Sequence, residues 1–162
     1  MARAALEHLG LQKVLFMPTG NQKYRPPALA SGEHRVAMLR LALDDARFAV
    51  DERELSPQFS GYTVDTLQSL KKELPDAKLV LLMGADPFAK LDSWHEPQKV
   101  RALADIGVFA RRGSSAGAGA IPFAESGVSS TEIRARVAAG KDIAGLVPPA
   151  VANYISRHRL YA

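Results

Sequence analysis

The sequence predicts a doubly wound α/β domain on a mostly parallel sheet, and three observations carry that expectation. Short apolar runs alternate with helical stretches along the whole chain. The runs are continuously apolar rather than alternating, as in strands covered on both faces. At 162 residues and 47% hydrophobic content the chain is long enough to bury one real core, so residues 1–162 are expected to form a single domain.

The elements follow in order. Ala2–Leu9 has Ala5, Leu6 and Leu9 on one side and Gly10 as a stop, which predicts a short amphipathic helix. Val14–Met17 is an apolar strand closed by Pro18, followed by a polar loop with Lys23, Tyr24 and Arg25 at its tip. Ser31 is a helix cap, and Val36, Leu39, Leu43 and Ala46 keep the helical period, so that helix is expected to reach about Ala46. Phe48–Val50 is a brief strand. Ser60-Gly61 turns the chain, and Thr63 is expected to cap a helix carrying Val64, Leu67 and Leu70.

Leu79–Met83 is the most apolar strand, and Gly84-Ala85-Asp86 ends it. A short helix, the segment Ser93-Trp94-His95, a helix over Gln98–Ala104 and a strand over Ile106–Ala110 come next. That strand runs into Arg111-Arg112-Gly113, and Ser114–Gly119, made only of Ser, Ala and Gly, is a loop. Ile121–Phe123 is a last strand. Ser129 and Glu132 have capping-box spacing and open a helix that Gly140 ends. Pro148-Pro149 starts the final helix, with Val151, Tyr154 and Ile155 packing inward.

Composition narrows the chemistry. The chain has no cysteine, which excludes a disulfide scaffold, a thiolate metal site and a Cys nucleophile. No apolar run approaches the roughly 20 residues of a membrane span, and the N-terminus lacks a signal-peptide core, so a cytoplasmic protein without a membrane partner is expected. A net charge of +4 suits an anionic ligand. No long basic run or aromatic-basic sheet motif is present, so a nucleic-acid partner is not expected. No Walker A loop occurs either, since Gly140-Lys141 lacks its partner glycine.

In a doubly wound fold ligands sit outside the carboxyl ends of the strands. The residues just past those ends are therefore the candidates: Thr19 to Arg25, Asp86, Trp94, Arg111, Arg112 and Val128–Arg134. The last stretch, VSSTEIR, carries the most chemistry. Its first N–H groups lack intrahelical partners at the positive end of a helix dipole, Ser129, Ser130 and Thr131 add hydroxyls, and Arg134 lies one turn in. The same residues also read as a plain cap, Asp86 as another, Trp94 as a core residue, and Arg111-Arg112 as a solvated strand end.

Taken together, Gly84-Ala85-Asp86 with Ser93-Trp94-His95, Phe109–Gly113, and VSSTEIR ahead of PPAVANYISRHRLY resemble the bacterial nicotinate-nucleotide adenylyltransferases of the nucleotidyltransferase superfamily. The resemblance runs from Ala2 to Tyr161. VSSTEIR alone fits several nucleotidyltransferases, whereas SGYTVDTL and the GAD…SWH pair narrow it to the nicotinate enzyme. It implies a Rossmann-like fold that transfers AMP from ATP to nicotinate mononucleotide with Mg²⁺, giving deamido-NAD and pyrophosphate. A homo-oligomer is among the assemblies it allows.

It also implies roles. Trp94 matches the aromatic that stacks on the pyridine ring, and the backbone N–H groups of His95 and Thr63 would approach the nicotinate carboxylate. Asp86 matches the acid on a ribose hydroxyl, and Arg112 the arginine on the mononucleotide phosphate, with Arg111 beside it. Ser129, Ser130, Thr131 and Arg134 match the ATP-phosphate motif, with Arg134 the catalytic cation. No side chain of this set is a metal ligand. Lys23 and Arg25 fall in the family's mobile basic loop, where the local pattern differs.

One departure stands out. The family opens on Gly-Gly-x-Phe-x-Pro followed by His-x-Gly-His, and none of His8, His34, His95 and His158 has that spacing. MARAALEHLG matches the region just after that motif, so the chain is expected to start inside the family sequence and to lack its first, central strand. His8, His34 and His158 then read as surface or helix-end residues. The competing functions are a sister adenylyltransferase acting on phosphopantetheine or the amide mononucleotide, and a catalytically impaired nucleotide-binding fragment.

Overall fold

A computed structural model describes residues 1–20, 28–110, 120–123 and 127–162. Helices and strands alternate: α1 (Ala2–Leu9), β1 (Val14–Phe16), α2 (Gly32–Ala42), β2 (Phe48–Val50), α3 (Thr63–Glu73), β3 (Val80–Gly84), α4 (Ala85–Ala89), α5 (Pro97–Leu103), β4 (Asp105–Ala110), β5 (Ile121–Pro122), α6 (Ser130–Ala138) and α7 (Pro149–Arg157). Every strand pair is parallel. The strands form two sheets, β1-β2 and β3-β4-β5. Among the described residues β1 pairs only with β2, and β3 only with β4, so each has one edge without a ladder.

The β3–β4 pair is covered on both faces, which is why its strands are apolar throughout. Leu81 and Met83 face a cluster made with Val64 and Leu67 of α3 and Val100 of α5, where Leu91 is fully buried. Leu82 and Phe109 face the other way, onto Ala5 of α1 and Ile121. The second face packs closely over a glycine. A Cβ at Gly107 would come within 2.8 Å of Leu82 Cδ2 and 3.2 Å of Leu9 Cδ1, so a larger residue there would make those leucine side chains shift. A third cluster of Ile143, Val151 and Ile155 takes in Met38 of α2 and Ile133 and Val137 of α6. This cluster holds α2, α6 and α7 together.

Several boundaries differ from the sequence reading. The second helix stops at Ala42 rather than Ala46, and Leu43 is extended. Asp45 explains the early stop: its carboxylate accepts the Arg47 backbone N–H at 2.9 Å and Arg47 Nε at 3.0 Å, a local turn that competes with helix. Thr63 is the first helical residue of α3, not its cap; the cap is Tyr62. Ser60 takes over the polar work there, accepting the Tyr62 N–H at 3.1 Å and donating its hydroxyl to Asp65. Leu9, expected among the inward residues of α1, is 40% exposed.

Beyond β2, Arg53 ties the chain to α3. It donates to Asp51 Oδ1, Ser69 Oγ and Glu73 Oε1, each at 2.9 Å. Next to it Thr66 is buried and donates its hydroxyl to Glu54 Oε1 at 2.7 Å. Burial pushes the Glu54 carboxyl above its ordinary value, and the Thr66 bond only partly offsets that. An acid raised in the fold is held charged at neutral pH at a cost the unfolded chain does not carry. Glu54→Gln keeps an acceptor for Thr66 and removes that cost. It is expected to raise the melting temperature at pH 7 by about 1–3 °C. The gain should vanish below about pH 4, where the glutamate is protonated in both states; melts across that range check it.

Candidate active site

The predicted residues divide into two groups. The first lies where α3 begins beside the turn after α4. As the first helical residue of α3, Thr63 has an N–H without an intrahelical acceptor, and the His95 N–H likewise meets no acceptor among the described residues. The His95 ring packs on Tyr62, centroids 4.3 Å apart and planes 30° from parallel. Trp94 is half-buried against the Val64–Leu91 cluster that also holds Tyr62. Trp94 therefore packs on the core while part of it stays exposed. Asp86 sits in the first turn of α4, just past the carboxyl end of β3, and is exposed.

The second group is the start of α6. Ser129 Oγ accepts the Glu132 N–H at 3.1 Å, as expected of the cap. The return half of the capping box is not formed: Glu132 Oε1 instead accepts Arg136 Nε at 3.1 Å. Ser129, Ser130 and Thr131 are exposed, and Arg134 Nη2 lies 3.4 Å from Thr131 Oγ1. Gly140 (φ 64°) ends the segment as predicted, with the Lys141 N–H on the Arg136 carbonyl at 2.8 Å and its own on Val137 at 2.9 Å.

Arg134 opens onto a cleft of about 210 Å³ with Ala28, Leu29, Ala30, Arg35 and Tyr161. Tyr62 and Arg35 were not among the sequence candidates. Tyr62 lay inside the SGYT segment, but its partner His95 is remote in sequence. Arg35 lay on a predicted helix with nothing local to mark it. His34, read as a helix-end residue, is half-buried instead, its Nδ1 2.9 Å from Tyr154 Oη across α2 and α7. Arg111, Arg112, Lys23, Tyr24 and Arg25 lie outside the described residues. Among the described residues no group of three or more His, Asp or Glu side chains is gathered to hold a metal ion.

Comparison with known proteins shows the family and the fold. Residues 1–136 match the family model described as cytidylyltransferase-like. A probable nicotinate-nucleotide adenylyltransferase of Laribacter hongkongensis is 39% identical, with 99% of this chain and 86% of that protein covered. One of Neisseria meningitidis serogroup B is 36% identical, over 99% and 89%. Among solved structures, a putative nicotinate-nucleotide adenylyltransferase from Vibrio parahaemolyticus superposes with a TM-score of 0.71 at 18% identity, over 98% of this chain and 85% of that one. Plasmodium falciparum nicotinic acid mononucleotide adenylyltransferase, complexed with NaAD, gives 0.73 at 16% identity, over 93% and 83%. At these identities the structures speak for the fold, and the sequence relatives for the family. The chain belongs to the cytidylyltransferase-like family and, within it, groups with the bacterial nicotinate-nucleotide adenylyltransferases.

Proposed function

We propose that this chain transfers AMP from ATP to nicotinate mononucleotide, forming deamido-NAD and pyrophosphate in NAD biosynthesis. The observation that carries the reading is near-full-length identity to proteins bearing that name. ATP would bind as its Mg²⁺ complex, in which the ion would offset charge on the phosphates. A phosphate oxygen of the mononucleotide attacks the α-phosphorus in line. The bond from that phosphorus to the bridging oxygen breaks, and pyrophosphate leaves. No covalent nucleophile is needed, so the protein's part is positioning and positive charge.

In this reading the open face of Trp94 stacks on the pyridine ring. The N–H groups of Thr63 and His95 meet its carboxylate, and Asp86 accepts from a ribose hydroxyl. Arg112 pairs with the mononucleotide phosphate. Ser129, Ser130, Thr131 and Arg134 hold the ATP phosphates. What supports the first part is that Trp94, His95 and Thr63 share one patch with two N–H groups lacking acceptors. The test incubates the chain with Mg²⁺-ATP and, separately, nicotinate mononucleotide, nicotinamide mononucleotide and phosphopantetheine. Deamido-NAD is the expected main product. Faster turnover of either other acceptor replaces the substrate assignment, and ATP binding without turnover of any leaves a nucleotide-binding fragment.

A further inference from the structure

Among the described residues Arg35, Arg53, Arg134 and Arg136 are the half-buried arginines. Arg53 is paired with Asp51 and Glu73, and Arg136 with Glu132. The other two have no carboxylate partner among the described residues, and they line the same cleft. Among the described residues Arg35 uses only its Nε, which donates to the Ala30 carbonyl at 3.3 Å. That bond ties the side chain to the turn before α2, and among the described residues neither terminal amino group has a hydrogen-bond partner.

The placement is costly without a ligand. Arg35 is the fourth residue of α2, and Arg134 the fifth of α6. Each stands near the positive end of its helix dipole, where a cation is disfavoured. The acidic residues of those first turns do not relieve it. Glu132 is committed to Arg136, and Glu33 is exposed outside the cleft lining. The Ile143–Val151–Ile155 cluster, on which both Met38 and Ile133 pack, keeps the two helices together despite the like charges. Tyr161 closes one side of the cleft with a backbone φ of 66°, a left-handed conformation a tyrosine rarely adopts. Two unpaired guanidiniums facing one space can grip separate oxygens of a single polyanion.

We propose that Arg35 is a second phosphate-binding cation, which grips the triphosphate of ATP together with Arg134 across the cleft between α2 and α6. The choice of ATP as the anion rests on the adenylyl-transfer reading; the cleft's preference for a polyphosphate does not.

Titration calorimetry of the full chain with inorganic tripolyphosphate and with ATP tests it. Arg35→Gln is expected to weaken both by about tenfold or more, the loss of one charge-assisted pair. Arg157→Gln, an equal charge change at an exposed arginine, should shift neither by more than about twofold. Arg35→Lys keeps the charge and loses the fork, so it should fall about threefold below the unmutated chain and stay above Arg35→Gln. If Arg35→Gln does not melt cooperatively, the lysine variant decides. Equal affinity in the unmutated chain and Arg35→Lys, equal loss in Arg157→Gln, or no tripolyphosphate binding at all overturns the proposal. Tripolyphosphate binding that depends on Arg35, in a chain that makes no deamido-NAD, keeps the cleft and removes the adenylyltransferase reading. Deamido-NAD formation with ATP affinity indifferent to Arg35 does the reverse.

Discussion

Arg134→Ala is expected to slow deamido-NAD formation by about 10²–10³, the usual loss when one preorganised donor to a developing charge is removed. The side chain has no structural duty that competes with this role. Among the described residues it makes no ion pair and its only side-chain hydrogen bond is the long one to Thr131 Oγ1, and it lines a cleft. The melting temperature should therefore stay within about 2 °C of the unmutated chain. The loss should fall mainly on kcat if the guanidinium acts at the leaving pyrophosphate, and on the KM for ATP if it only holds the ground-state phosphates. A variant with unchanged kcat/KM reduces the start of α6 to a capped helix end.

What was legible in the sequence was what is encoded locally. Ser31 and Ser129 each accept a backbone N–H three residues on, a bond that needs nothing beyond its own turn. Gly140 ends α6 for an equally local reason. The strands were legible because β3 and β4 are covered on both faces, which leaves continuous apolar runs rather than an alternating pattern. Failures came where a competing contact won. Asp45 stops α2 through its bonds to Arg47, although the apolar period runs on to Ala46. Thr63 is the first helical residue of α3 and Tyr62 its cap, with Ser60 Oγ holding the Tyr62 N–H. Tyr62 against His95 and Arg35 opposite Arg134 exist only once distant elements pack, and no periodicity in one helix records its neighbour. The expectations for Arg112, Lys23 and Arg25 lie outside the described residues.

Trp94 has two duties in this reading, and they can be separated. Its inner side packs on the cluster of Val64, Leu67, Met83, Leu91, Val100 and Ala104. Truncating a fully buried tryptophan costs about 3–5 kcal/mol. With one face open, Trp94→Ala should cost about 2 kcal/mol, a fall in melting temperature of about 4–8 °C for a chain this long. The open face is assigned to the pyridine ring, and stacking on an aromatic is worth about 1–3 kcal/mol. The KM for nicotinate mononucleotide should then rise by about 5- to 150-fold, with the KM for ATP unchanged. Leu91→Ala supplies the contrast. Leu91 is fully buried in the same cluster and has no open face, so it should lose about 2–5 kcal/mol of stability and leave both KM values alone. Trp94→Phe retains a ring and should recover most of the stability and part of the affinity. Assays run well below the lowest melting temperature keep unfolding out of the KM values. If Trp94→Ala tracks Leu91→Ala, losing stability alone, the tryptophan is core and the pyridine ring must be held elsewhere.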